Sequence, residues 1–197
     1  MCRQLHVIAA HAFSFLALHA AGCAAGGSIH PEYRQLKPRD IAVLSVKNET
    51  IADLGRVTFG GPLQRTIVGV ESYNVLELLR GAIEEALLKA GYFIAEVTEP
   101  LPFDPGKPLL DGADRPAFQA AVLASVESWQ AHETSNFASF ALRYRLEMRR
   151  VPTAELLYSG TFTCEQREGR AQTSESLPRA IRRSVARALG ALSAANE

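Results

Sequence analysis

The stretch FALRYRLEMR, residues 140–149, decides the fold. Its large apolar residues alternate with Ala, Arg and Glu, which is the period-two pattern of a β-strand with one buried and one solvated face. A turn over Val151–Ala154 follows, and the chain then returns as a second strand. The inward face of that strand is predicted to carry Leu156, Tyr158, Gly160, Phe162 and Cys164. The two strands predict an antiparallel hairpin whose apolar face must pack against another element of the fold.

Upstream, a strand, helix, strand unit is predicted from local signals. Ile41–Val46 is short, apolar and rich in branched residues, as in a strand buried on both faces. Asn74 begins a capping box, and apolar residues at helical spacing then run to Gly91, which suits a left-handed helix end. Tyr92–Val97 reads as the next strand, which should lie parallel and adjacent to the first.

The remaining elements complete an α+β fold in one domain. Ala121–Trp129 is predicted as a strand, and Leu177–Leu192 as a last helix capped by Ser176. We therefore expect a mixed sheet of about five strands, in the order β-α-β-β-β-β-α, packed against two main helices. Ile51–Ser72 is either a loop or a hairpin of residues 56–59 with 66–70 around Gly60-Gly61-Pro62, and Thr98–Pro116 is a proline-rich loop.

The N-terminus carries an export signal. Arg3 provides a positive charge, and Val7–Ala21 provides a mostly apolar segment. The segment closes on Ala20-Ala21-Gly22-Cys23, which resembles the lipobox of bacterial lipoproteins, with Ala20 where that family prefers Leu. The resemblance implies cleavage between Gly22 and Cys23 and lipid attachment at Cys23. The alternatives are a plain secretory signal or a membrane span. A span needs about 18 or more apolar residues, and Val7–Ala21 has only 15 residues.

These signals divide the chain into three parts. Residues 1–22 are predicted to be a lipoprotein signal peptide, residues 23–38 a flexible tether, and residues 39–197 a single α/β lipoprotein domain. Neither Ala24 nor Ala25 is acidic. In the lipoproteins that the chain resembles, an aspartate there favours retention at the inner membrane. Its absence predicts an outer-membrane anchor with the protein facing the periplasm.

Composition excludes several function classes. The chain has 21 basic and 21 acidic residues, so the balance does not favour a general nucleic-acid binder. Of three cysteines, Cys2 leaves with the signal and Cys23 is the lipid site, so Cys164 has no intramolecular partner for a disulfide. His30 and His132 alone remain in the mature chain, so we predict no metal site and no cofactor.

The sequence predicts no enzyme. It has no phosphate-binding glycine motif, no paired histidine motif and no nucleophile elbow. Cys164 with His132 is the one conceivable nucleophile and base, and the inward position of Cys164 argues against it. Four arginines crowd one face of the last helix: Arg179, Arg182, Arg183 and Arg187. They form either a solvated face or a contact with acidic lipid or a partner.

The order of these elements resembles a group of bacterial envelope proteins. The resemblance is carried by IAVLSVKNET from residue 41, the helix end KAGY at residues 89–92, the stretch from Ala121 to Trp129, and LYSG at residues 157–160. It points to lipoproteins typified by a neisserial surface-antigen candidate. More distantly, the chain is similar to the amino-terminal domain of TolB, the periplasmic domain of the curli secretion channel and the lipoprotein activators of penicillin-binding proteins.

Two functional hypotheses follow from this resemblance and the missing chemistry. The first is a lipid-anchored, non-enzymatic adaptor or assembly subunit that binds protein partners in the envelope, with self-assembly allowed by the likeness to the curli channel. The alternative is a periplasmic ligand-binding or transport-accessory lipoprotein that carries a small or lipidic ligand. An apolar cavity under the Ile51–Ser72 loop would favour the second, and an exposed edge or apolar patch would favour the first.

Overall fold

The computed structural model describes residues 27–44, 46–58, 72–96, 118–133, 137–169 and 177–196. The elements, in chain order, are β1 (Ser28–Ile29), α1 (Pro31–Leu36), β2 (Asp40–Val43), β3 (Lys47–Asn48), β4 (Val57–Thr58), β5 (Ser72–Tyr73), α2 (Val75–Lys89), β6 (Phe93–Ala95), β7 (Ala120–Glu133), β8 (Phe137–Arg150), β9 (Leu156–Gly169) and α3 (Leu177–Asn196). The α+β class predicted from the sequence is confirmed.

The main sheet has the strand order β1-β9-β8-β7-β2-β6, and β3 pairs with β7 beyond β2. β7, β8 and β9 form an antiparallel meander. β2 lies parallel to both β7 and β6, so the strand, helix, strand unit is confirmed, with its two strands adjacent. The sheet is therefore mixed, and its antiparallel part includes, as β8 and β9, the hairpin that the alternating stretch predicts.

The core lies between one face of this sheet and the helices α2 and α3, which also pack against each other. Leu142, Tyr144 and Leu146 of β8 are fully buried on this inner face. The hydroxyl groups of Tyr144 and Ser184 hydrogen-bond each other at 2.9 Å, which satisfies both polar groups inside the core. α3 is thus fixed over β8 and β9 by apolar packing and by one buried polar pair.

The helix α2 begins and ends where the sequence predicts, after Asn74 and before Gly91. The Asn74 side-chain oxygen accepts hydrogen bonds from the backbone amides of Leu76 and Glu77, both at 3.1 Å. These bonds satisfy two of the amide groups that a helix start leaves unpaired. Gly91 follows the helix with a φ of 86°, a conformation that glycine adopts without steric cost. The sequence thus encodes both ends of the helix.

Two register shifts alter the predicted faces of the strands. The pairing of β7 with β8 shifts between Val126 and Ser128, so Glu127 is an extra residue there. The pairing of β8 with β9 shifts after Met148, which pairs with Tyr158. As a result Leu157 is fully buried, whereas Leu156, predicted to face inward, pairs with Arg149 and is only half-buried.

The structure differs from the sequence-based expectation between residues 28 and 38. Part of the expected tether forms β1 and α1 and packs on the body of the protein. β1 pairs with β9, and the hydroxyl of the fully buried Tyr33 hydrogen-bonds that of Tyr92. Residues 27–38 of the predicted tether are therefore part of the folded body, and residues 23–26 lie outside the described residues.

A second, smaller apolar cluster lies on the outer face of the sheet, opposite the helices. Its buried members are Ala42, Leu44, Ala121 and Val151. The turn after β8 folds onto this face, and Arg149 donates a hydrogen bond of 3.0 Å to the backbone oxygen of Ala154. β4 and β5 form a separate two-stranded ribbon, so residues 57–58 pair with 72–73. The predicted alternative partner, residues 66–70, lies outside the described residues.

Gly27 and Gly160 meet where β1 joins the sheet. A β-carbon on Gly27 would overlap the hydroxyl of Tyr158, and one on Gly160 would lie 2.9 Å from the Gly27 α-carbon. The Tyr158 hydroxyl cannot easily give way, because it is buried and donates a 2.5 Å hydrogen bond to the backbone oxygen of Ala188. Burial also raises the pKa of Tyr158 well above its ordinary value, so the hydroxyl keeps its proton. Both positions therefore require glycine.

We expect Gly27→Ala to lower the free energy of unfolding by about 1–3 kcal/mol, the usual cost of overfilling a packed site. The added methyl group must displace either β1 or Tyr158. Urea unfolding of the whole chain, followed by circular dichroism, measures this change. Gly81→Ala in α2 is the matched control, since a β-carbon there meets nothing within 4 Å.

The control should raise stability by about 0.5–1 kcal/mol, because alanine is the better helix former. Equal effects of the two substitutions would contradict the close packing around Gly27.

Candidate functional site

The structure separates the one nucleophile and base pair that the sequence allows. Cys164 lies in the same row of the sheet as Leu142 and Trp129. On β7, Trp129 is three residues before His132. This places the two α-carbons about 14 Å apart. Cys164 is buried on the inner face, whereas His132 is exposed and lies in register with Ser139 on the outer face. They cannot act together.

The predicted lipid site and cleavage site, Cys23 and Gly22, lie outside the described residues. So do residues 59–71, which make up most of the loop that would cover a ligand cavity, and the whole of the proline-rich loop over residues 98–116. Among the residues that are described, no group of three or more His, Cys, Asp and Glu side chains is placed to hold a metal ion. No helix in the same part of the chain is long and apolar enough to cross a membrane.

The outer face of the sheet carries a connected set of ion pairs. The Glu127 carboxylate accepts from Nε of Arg143 at 2.9 Å and from Nε of Arg145 at 3.0 Å. Glu147 lies 2.8 Å from Arg149 and 3.9 Å from Arg145. The bulge in β7 explains the first pair of contacts, since the extra residue is Glu127 itself. Each of the three arginines pairs with one of the two glutamates, and Glu127 joins β7 to β8, so the arrangement provides pairing within the sheet.

The arginines of α3 do not form one uniform face. Arg182 lies 3.3 Å from Glu85 of α2 and thus helps to join the two helices. Lys89 lies 2.6 Å from the same carboxylate, and its hydrogen bond and charge, assisted by Arg182, hold the pKa of Glu85 below its ordinary value. Arg183 and Arg187 are exposed. The interpretation of these arginines as a solvated face therefore does not apply to Arg182.

Two of the three large apolar side chains that are exposed in the described chain lie at or beside β6, and the third is Ile51. Phe93 is 66% exposed and Leu88, at the end of α2, is 57% exposed. Phe93 pairs with Asp40 and so shares the outer face with Ala42, while the fully buried Ile41 lies on the opposite face. β6 is the last strand in the sheet order. We call β6 with its exposed Phe93, together with the adjoining end of α2 that carries Leu88, the β6 edge.

The sequence analysis did not identify the β6 edge. A signal was present, because Tyr92 and Ile94 alternate with Phe93 and could both have been assigned to the inner face. What the sequence alone does not reveal is that β6 ends the sheet, so that no further strand among the described residues covers its side. Large exposed aromatic and aliphatic side chains at a sheet edge are typical of protein-binding surfaces.

The sequence matches no protein-family model and no curated protein. Its fold is similar to that of solved structures. A point variant of PelC from Paraburkholderia phytofirmans, solved as a dodecamer, is 13% identical, with a TM-score of 0.52 over 87% of this chain and 98% of that chain. A second PelC dodecamer from the same organism is 14% identical, with a TM-score of 0.51 and the same coverage.

Lipoprotein GNA1162 from Neisseria meningitidis is 12% identical, with a TM-score of 0.45 over 72% of this chain and 90% of its own. At such identities a structural likeness shows the fold alone. The chain therefore has the α+β fold of PelC.

Proposed function

We propose that the protein is a non-enzymatic, lipid-anchored subunit of the cell envelope that works by binding other proteins through the β6 edge. Its first partner is a second copy of the same chain. The observation that carries this proposal is the exposure of Phe93 and Leu88 beside the strand that ends the sheet. Such side chains lose unfavourable contact with water when another protein covers them.

The membrane location rests on the N-terminal sequence. Ala20-Ala21-Gly22-Cys23 follows an apolar segment and supports lipid attachment at Cys23 after cleavage at Gly22. Ala24 and Ala25 support transfer to the outer membrane, with the folded body in the periplasm. The near balance of acidic and basic residues makes the lipid, rather than net charge, the main attachment.

Self-assembly is supported by the fold and by the form of the exposed surface. PelC, which has the same fold, was solved as a dodecamer. A closed ring needs a heterologous contact, in which two different surfaces of each subunit meet. We assign the β6 edge to one side of that contact. β6 has three residues, so side chains rather than a long strand ladder provide most of the contact.

The membrane anchor is tested by Cys23→Ala in the whole chain. We expect the variant to move from the membrane fraction to the soluble fraction, because the thiol that carries the lipid is gone. Mass spectrometry of the wild-type N-terminal peptide should show the added mass of the acyl chains. Cys164→Ala is the matched control and should stay in the membrane fraction. A Cys23→Ala protein that also remains there would overturn the anchor.

The partner surface is tested by the double substitution Leu88→Ser and Phe93→Ser. Loss of buried anchor residues typically costs an interface 2 kcal/mol or more, so we expect association to weaken by about 30-fold or more. Native mass spectrometry and light scattering of the detergent-purified lipoprotein measure the assembly state.

Ile51→Ser is the control for this experiment, because Ile51 is likewise an exposed large apolar residue but belongs to neither β6 nor α2. It should leave the assembly unchanged. A wild-type chain that stays monomeric at all concentrations, or a double variant that assembles normally, would overturn the role of the β6 edge in self-assembly. Circular dichroism checks that each variant is folded.

A further inference from the structure

The link between the folded body and the lipid is much shorter than the sequence suggests. Gly27 is packed against Gly160 and Tyr158, and only four peptide links separate it from Cys23. Fully extended, these links span about 14 Å, whereas the sixteen residues of the expected tether span about 55 Å. The lipid therefore holds the body close to the bilayer.

The starting point of this short link is held firmly. Tyr158 is buried next to Gly27, and its hydroxyl is hydrogen-bonded to Ala188 of α3. β1 is paired with β9 through Ser28 and Ile29, and the His30 amide donates a further hydrogen bond of 2.9 Å to Leu157. The link thus leaves the body at a fixed place, which we call the β1–β9 edge, defined by Gly27, Ser28 and Gly160.

The β1–β9 edge and the β6 edge lie at opposite sides of the sheet. Five strand spacings separate β1 from β6 in the sheet order. At about 4.8 Å for each spacing, the two edges are about 24 Å apart. This exceeds the 14 Å reach of the link, so the lipid on Cys23 cannot lie at the β6 edge.

Basic side chains lie on the same side as the link. Arg187 precedes Ala188, the residue that Tyr158 contacts beside Gly27. Arg187 is also about 140° around the helix from Arg182, which contacts α2 through Glu85. Arg187 therefore lies on the side of α3 turned away from α2, and Arg183, one turn earlier and about 100° from Arg182, faces solvent between the two. Both are exposed and suit anionic headgroups.

We propose that the β1–β9 edge, with Arg183 and Arg187, rests on the surface of an anionic phospholipid bilayer and that the β6 edge stays clear of it, where a neighbouring copy can cover it. This inference rests on the proposed lipid attachment at Cys23. It adds that the anchor sets the orientation of the body and so presents the β6 edge to partners in the aqueous space.

The test places one fluorescent label on the lipidated chain, in a Cys164→Ala background, at either Ser28→Cys or Glu96→Cys. Both positions are exposed, one in β1 and one directly after β6. The protein is reconstituted in vesicles of phosphatidylethanolamine and phosphatidylglycerol that contain a lipid with a spin-labelled headgroup. The label at residue 28 should lose most of its fluorescence, and the label at residue 96 should keep most of it.

Two further variants test the causes. A Gly/Ser insertion of about twelve residues between Ala25 and Gly26 adds about 19 Å of average reach and should relieve the quenching at residue 28. The double substitution Arg183→Gln and Arg187→Gln should relieve it partly in these vesicles and have no effect in phosphatidylcholine vesicles. Arg182→Gln, on the side of the same helix that contacts α2, is the matched control and should leave the quenching unchanged.

The outcomes separate the two proposals. If the protein does not float with the vesicles, the lipid anchor fails, and the orientation fails with it. If it floats but the two labels are quenched equally, or the label at residue 96 is quenched more, the orientation alone is overturned. Quenching at residue 28 that survives the insertion overturns the short link as its cause. Equal effects of the Arg183/Arg187 and Arg182 substitutions overturn the role of the two arginines.

Discussion

The hydrogen-bond ladders that join β8 to β7 and to β9 are the constraint on which the rest of the structure depends. β8 pairs along nearly its whole length on both sides. Because successive side chains point to opposite faces, this register assigns Leu142 and Tyr144 to the helices and Arg143 to the outer face. A slip of one residue would place arginines beneath α3, so the buried face holds the register in place.

The bulge at Glu127 shows how the same ladder shapes the outer face. The extra residue places a carboxylate between Arg143 and Arg145, and it brings Trp129 to the inner side, where its ring stacks on Phe140 at 5.6 Å. The charges of the outer face are thus largely satisfied within the sheet. Among the described residues, helices cover one broad face of the sheet, and an apolar cluster with ion pairs occupies much of the other. The two edges remain as the surfaces with unmet interactions.

The sequence predicted the parts of this arrangement that depend on local signals. Alternation in β8, the Asn74 cap and Gly91 each act within a few residues, and the structure has them where they were expected. β1 and α1 were assigned to a tether, because β1 is defined by pairing with a strand far along the chain. Pro31 at the start of α1 was a usable signal, but six residues make a weak pattern. The β6 edge was missed because the order of strands in a sheet is a property of the whole fold.

The two edges of the sheet differ in the length of their strands and in what covers them. An open strand edge invites pairing with other chains, and the risk grows with its length. β6 has three residues and offers little backbone to pair, so specificity there must come from Phe93 and Leu88. β9 has fourteen residues, and β1 covers part of its edge. The close approach of Gly27 and Gly160 that permits this cover also fixes the origin of the link to Cys23. Protection of the longer edge and placement of the proposed membrane anchor are therefore one structural feature, and a side chain at either glycine would disturb both.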